Sequence, residues 1–381
     1  MRARFVQPAL AIPCGIRKSP TVIPSAFARN VACLGAILWV VAGVNSFASL
    51  PDWGTKNYFL EAQAGLEQNP ITAVMQSRDG YLWIGTYTGL LRFDGVHFTV
   101  FNPGNSRGLR NGRIIELFED DLGAVWIGHE TGEVTELKNG VFTPVQFKPS
   151  RPDASLIDMN TDARGDVWIL HGNGSLYRLS DGLVLGNQPS KSKAVAAVLA
   201  RNDHGELWVA ANGTVSQVQN DQLVPFKFDD GEQTNFYSTI LPSHDGGLWT
   251  VRNGVLQKWR DGKWVAILGA PWGADAPLSL VERRSGMLVV GTLKNGLFLL
   301  KPGFEPLQFS RGNGLSHDWV RSLCEDREGN IWIGTGGGGL NVLRTTRPNT
   351  KSSRPLAGTH TLGDVHSRQR SVGGNGRRGI V

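Results

Sequence analysis

One short phrase recurs seven times between Gly80 and Leu340: a glycine, two residues, a bulky anchor, a short apolar run and a second glycine. The copies read DGYLWIGTYTGL, LGAVWIGHETGE, RGDVWILHGNGS, HGELWVAANGT, DGGLWTVRNGV, SGMLVVGTLKNGL and EGNIWIGTGGGGL. Their anchors are Trp83, Trp126, Trp168, Trp208, Trp249, Val289 and Trp332, spaced by 43, 42, 40, 41, 40 and 43 residues. Self-similarity at a fixed period of this length marks a repeat architecture, in which no unit buries its own faces and each must stack on its neighbours.

Each unit has one internal grammar. An apolar run (ITAVMQ, RIIELF) leads into a polar turn closed by a glycine, then the anchor strand, then a third run such as GLLRF. Asp94-Gly95, Asn139-Gly140, Asp181-Gly182 and Asp261-Gly262 follow the third run and precede a fourth. Such dipeptides between β-rich runs signal hairpins whose two turn residues take positive φ. The unit is therefore a four-stranded antiparallel meander, and seven of them predict an all-β, seven-bladed β-propeller. No stretch beyond Ser49 carries a capped helical period. The tryptophans read as packing between blades, where an indole buries roughly 150–250 Å². Val289, the one anchor without an indole, marks the blade interface expected to be weakest. The seventh unit lacks a fourth run, and the orphan run at 56–62 (KNYFLEA) precedes the first unit. That segment is expected to supply the last blade's outer strand, with 58–60 beside the strand at 340–343, so that no edge is left open.

The ends differ from the body. Residues 1–48 combine Arg2, Arg4, Arg17, Lys18 and Arg29 with an uncharged run at 31–44 and a small-x-small site at Ser46-Phe47-Ala48, the pattern of a cleaved export signal. Residues 345–381 have no aromatic and no period, and read as a disordered basic tail. These two ends carry the surplus behind the net charge of +6, leaving 49–344 near −5. No basic groove for nucleic acid is expected, and membrane contact is expected only where the leader stays uncleaved. The body keeps one cysteine, Cys324, read as a small buried hydrophobe.

The repeats closely resemble the two-component regulator propeller family. The resemblance is carried by Gly65-Leu66-Glu67-Gln68-Asn69, Asp79-Gly80-Tyr81-Leu82-Trp83-Ile84-Gly85-Thr86 and Phe93-Asp94-Gly95, and again by Gly314-Leu315 and Asp326 through Thr335. The middle units depart from it at Ala210, Val251 and Val289. The resemblance implies the periplasmic input half of a membrane sensor, truncated or shifted out of frame after its first propeller at Arg344. Typical relatives continue into a second propeller, an immunoglobulin-like domain, a membrane helix and an output module.

Chemistry needs acids, bases or metal ligands brought together. The loops that share one rim are those joining second to third strands and those joining blades. They offer His129, Glu130, His171 and Arg252 on the first kind, and Asn111, Trp272, His317 and Trp319 on the second. His129 and His171 occupy equivalent places in adjacent blades, but two histidines make a weak metal site, and both read best as surface loop residues. No nucleophile–base pair stands out, so no catalytic residue, metal or cofactor is expected. The expected binding rim is Tyr87, His129, His171, Arg252, Trp272 and Trp319, its aromatics offering stacking area to a ligand. That ligand is a small molecule, a saccharide among the candidates, or a protein. A homodimer stays open, as do two alternative functions: a lyase or glycan-active propeller, and a stand-alone interaction scaffold.

Overall fold

Seven four-stranded antiparallel sheets, with no helix among the described residues, form a ring of blades. The computed structural model describes residues 53–58, 70–148, 153–186, 197–228 and 236–345, all within the unit spanning 47–381. The leader and the tail beyond Thr345 lie outside the described residues. In blades 1 to 6 the four strands follow one another in sequence. The inner strands are Ile71–Gln76, Ile114–Glu119, Leu156–Thr161, Ala197–Arg201, Tyr237–Pro242, Pro277–Glu282 and Val320–Glu325, each beside its counterparts in both adjacent blades. No helix among the described residues is long and apolar enough to cross a membrane.

Blade 7 is completed from the other end of the chain. Its sheet runs Val320–Glu325, Ile331–Thr335, Leu340–Thr345 and then Trp53–Tyr58. Trp53 lies opposite Thr345 and Tyr58 opposite Leu340. Closure by an N-terminal strand is therefore as expected, but the strand begins three residues before the predicted Lys56 and ends at Tyr58. Residues 59–62 lie outside the described residues. The turn-rich, polar look of WGTKNY hid its first half, because an edge strand needs backbone groups more than an apolar face.

The anchors do what the repeat requires. Seven apolar clusters correspond to the seven interfaces. Trp332 of blade 7 packs with Phe93 and Leu91 of blade 1, and Trp83 of blade 1 packs with Leu117, Val125 and Phe142 of blade 2. Trp168 and Trp249 repeat this one blade on, against Leu199 and Leu207 and against Leu288 and Phe298. Trp126 is only half-buried. At the blade 6–7 interface Val289 is fully buried and lies across from Leu299, beside Met287, Phe309, Ile331 and Ile333. Where the anchor is Trp83, Trp168 or Trp249, the residue across from it is a cation instead: Arg92, Arg178 or Lys258 stacks on the indole at 5.8, 5.2 and 5.3 Å. The blade 6–7 interface has thus exchanged indole plus cation for hydrocarbon throughout.

A recurring turn explains the polar letters before each anchor. The residue six before the tryptophan caps the turn. Asp120 Oδ1 accepts the backbone N–H groups of Leu122 and Ala124 at 2.9 Å, while its Oδ2 accepts Trp126 Nε1–H at 2.8 Å. Asp162 and Asp326 do the same for Trp168 and Trp332, at 3.0 and 2.8 Å. The seven glycines three before the anchors have φ between +72° and +95°, which a side chain would strain. Positive φ at both hairpin residues holds for Asn139-Gly140 and Asp261-Gly262, and for Asn220-Asp221, which has no glycine. At Asp94-Gly95 and Asp181-Gly182 only the glycine is positive.

These turns also clasp neighbouring blades. The N–H of Arg78, His244, Arg284 and Arg327 is accepted by Glu119, Glu282, Glu325 and Gln76 of the next blade, at 2.7, 3.1, 3.1 and 2.8 Å. The acceptors end their inner strands. At the three junctions from blade 2 to blade 5 the same position holds Thr161, Arg201 and Pro242, and no such clasp forms there among the described residues.

Candidate ligand-binding rim

Antiparallel order places the second-to-third-strand loops and the blade-to-blade loops on one face of the ring, opposite the anchor turns. On that face Tyr87 and Trp319 are half-buried. They are joined by two arginines that the loop-centred reading passed over. The Arg321 guanidinium carbon lies 4.9 Å from the Trp319 ring centre and 5.3 Å from that of Tyr87. Arg113 lies 4.5 Å from the same Tyr87 ring. The result is a ladder Trp319–Arg321–Tyr87–Arg113 running from blade 7 across blade 1 to blade 2.

Local structure builds each rung. Arg321 is the residue skipped between Val320 and Ser322 where the inner strand of blade 7 bulges, and five other blades bulge at the same place. A bulge re-aims a side chain that regular pleating would bury. Trp319 is held by Gly336, whose N–H donates to the Trp319 carbonyl at 2.8 Å. A Cβ at Gly336 would overlap the Trp319 ring, so only glycine fits there. The Trp319 N–H donates to His317 Nδ1 at 3.0 Å. Arg113 immediately precedes its inner strand, with its N–H on Asn111 Oδ1 at 2.9 Å, and its guanidinium pairs with Glu130. Asn111 Nδ2 in turn donates to Thr131 at 3.0 Å and toward Glu133 at 3.4 Å. The Arg113 guanidinium holds the Glu130 carboxyl below its usual range, with Arg321 adding to the effect. Among the described residues no carboxylate ion-pairs with Arg321.

Three of the six expected rim residues are interior. His129 and His171 end second strands instead of lying in surface loops, and both are buried. His129 Nε2 meets Thr135 Oγ1 at 2.9 Å, and burial pushes its pKa down to about 4. His171 lies edge-on to Tyr177 at 6.3 Å. Trp272 is buried in the blade 5–6 cluster, edge-on to Phe298 at 6.1 Å. At His129 and His171 the strands run further toward this face than the glycine punctuation suggests, which draws both side chains between blades, whereas Trp272 sits in the turn after the strand Lys263–Gly269 and folds back into the interface. Arg252 is half-buried and stacks on Trp264 of its own blade at 4.8 Å, with no contact to the ladder. Among the described residues no cluster of three or more His, Cys, Asp or Glu could hold a metal ion. Cys324, read as a buried hydrophobe, is half-buried against the blade 7–1 cluster, and burial raises its thiol to about 11.

Two other features lie off this rim. Glu116 and Asp158 stand on adjacent inner strands, and burial raises both carboxyls, Asp158 to about 7, with the Asp158 charge raising Glu116 further. Asp158 accepts the N–H groups of Leu199 and Met159, each at 2.8 Å. A groove of about 960 Å³ runs along the outer wall between blades 1 and 2, lined by Val100, Phe101, Arg107, Arg110, Val141 and Phe142.

The fold defines a closed seven-bladed propeller with a polar and aromatic mouth. The family pattern described as two component regulator propeller matches the chain's first and last repeats, at residues 65–88 and 314–337. Among solved structures it is similar to the extracellular domain of BT3049 from B. thetaiotaomicron, described as a hybrid two component system: 18% identity over 78% of this chain and 42% of that one, TM-score 0.59. It is also similar to virginiamycin B lyase from Staphylococcus aureus, at 15% identity over 77% and 98% of the two chains, TM-score 0.59. A third likeness is YCF48 bound to D1 peptide, at 15% identity over 79% and 100%, TM-score 0.57. At these identities the likeness is one of fold. The chain spans about two fifths of the sensor domains it matches. No curated protein sequence matches it.

Proposed function

We propose that this chain is an extracytoplasmic sensory propeller that binds a small ligand or a partner on the face bearing Tyr87, Arg113, Trp319 and Arg321, and performs no chemistry there. The observation that carries the reading is the ladder itself. Four long side chains from three blades stack in one line across the ring's mouth, outside the apolar clusters that fill the blade interfaces. The regulator-propeller repeats and the fold shared with extracellular sensor domains support the sensory role. The export-type leader supports the location. Partner recognition is the second reading, supported by the peptide held by the YCF48 propeller.

The test is a binding screen of the full chain against oligosaccharides and short peptides, repeated with a Tyr87→Ala, Trp319→Ala double variant whose fold is checked by circular dichroism. A hit whose affinity falls in the double variant supports the reading. A hit indifferent to the double variant rejects this face, and turnover of any screened compound rejects the absence of chemistry.

A further inference from the structure

We infer that the rim recognises a singly charged carboxylate, with Arg321 as its receptor; this rests on the binding role proposed above for the same face. The aromatic rungs were expected to offer their faces to a sugar ring. In the structure those faces carry guanidinium groups: Arg321 on Trp319, and both Arg321 and Arg113 on Tyr87. What the rim presents to an incoming molecule is therefore cation more than ring.

The two arginines are not equivalent. Arg113 is paired with Glu130 and held by Asn111. Arg321 has the same kind of stacking and no ion pair among the described residues, although Glu130 lies near enough to feel its charge. A guanidinium fixed by ring faces keeps its N–H edge free, and that planar fork matches the two oxygens of a carboxylate. Stacking removes the rotamer freedom that a free arginine would lose on binding, so the receptor is preorganised. The bulge at Arg321 and the glycine-only contact at Gly336 hold that arrangement in place.

The charge of the ligand follows from the neighbours. Glu130 and Glu133 stand on the same rim, and the body from 49 to 344 is near −5. A dianionic phosphate or a polyanion would be repelled there, while a monoanion needs only one free cation. The carboxylate can come from a sugar acid or from a peptide C-terminus, since both present the same two oxygens.

Four probes separate the sources: galacturonic acid, its methyl ester, N-acetylated alanine tripeptide, and the same blocked tripeptide amidated. Each is titrated calorimetrically into the full chain, wild type and Arg321→Gln, with Arg321→Lys as a variant that keeps charge and loses the fork. Near-ultraviolet circular dichroism checks that Trp319 keeps its packing. The expected result is that one acid probe binds at least about tenfold more tightly than its neutralised partner. That preference should vanish in Arg321→Gln and mostly vanish in Arg321→Lys. A preference that survives Arg321→Gln, equal binding of acid and neutral forms, or no binding by any of the four overturns the inference. Equal binding that is still lost in the Tyr87, Trp319 double variant overturns only the ligand class and leaves the face as the binding site.

Discussion

Replacing Trp168 by alanine tests the claim that the anchors are the glue between blades. Trp168 is fully buried, against Leu199, Leu207 and Val209 of the next blade. Removing roughly 200 Å² of indole surface at about 25 cal/mol per Å² gives about 5 kcal/mol as an upper estimate. The side chain also loses its bond to Asp162 at 3.0 Å and its stack with Arg178. Asp162 is not orphaned, because Arg164 and the N–H of Asp166 remain on it, so little is added for an unsatisfied carboxylate. We expect a loss of about 4 kcal/mol, inside the usual range for burying a cavity at a large aromatic. Trp126 is partly exposed, and its alanine variant should cost less, about 3 kcal/mol. Urea unfolding of the full chain, followed by tryptophan fluorescence and circular dichroism with unchanged slope, measures both. Equal losses at the two sites, or a larger loss at Trp126, would refute burial between blades as the source of the stability.

Glu325→Ala should cost about 3 kcal/mol, since it removes the carboxylate 3.0 Å from the buried Arg283, which keeps the Gly329 carbonyl at 2.6 Å, and unclasps Arg284; a thermal shift within error of wild type would contradict this. Glu116→Gln should make the protein more stable at alkaline pH and flatten its pH dependence. In the fold Glu116 and Asp158 stay protonated above their unfolded values, Asp158 to about 7 against 3.8. The folded state therefore binds more protons in that window, and the pair's contribution falls as pH rises through it. A variant with an unchanged slope between those values would count against the pair. Hydrogen exchange should open blades 3 and 4 before blade 6, because the clasped turns are missing from blade 2 to blade 5. Earliest opening at 278–300 would restore the weak-interface reading of Val289.

The ring was legible in the sequence because its cause is periodic. Every interface asks for one bulky anchor, and every anchor turn asks for a glycine at the same offset, so seven copies announce seven blades. Val289 shows what the period leaves out. One letter showed a missing indole, while its compensation sits across the sheet at Leu299 and in the next blade at Ile331 and Ile333. The rim was far less legible. Tyr87 and Trp319 could be placed on the right face from loop position alone. His129 and His171 could not, since a shift of one residue at a strand end decides between loop and interior, and Trp272 could not because a turn residue folds back between blades. Arg321 and Arg113 carried no signal at all in VRSLCE and RIIELF, where they look like ordinary strand residues. A bulge brings the first to the mouth, and an asparagine-held strand start brings the second.

The most direct test of the account is to map where a ligand found by the screen protects the full chain from hydrogen exchange. The account predicts slowed exchange at 87–88, 111–113, 130–133, 317–321 and 336–338, with the anchor turns on the opposite face unchanged. Protection centred on the outer groove at 100–110 and 141–144, or on the anchor turns, would contradict it.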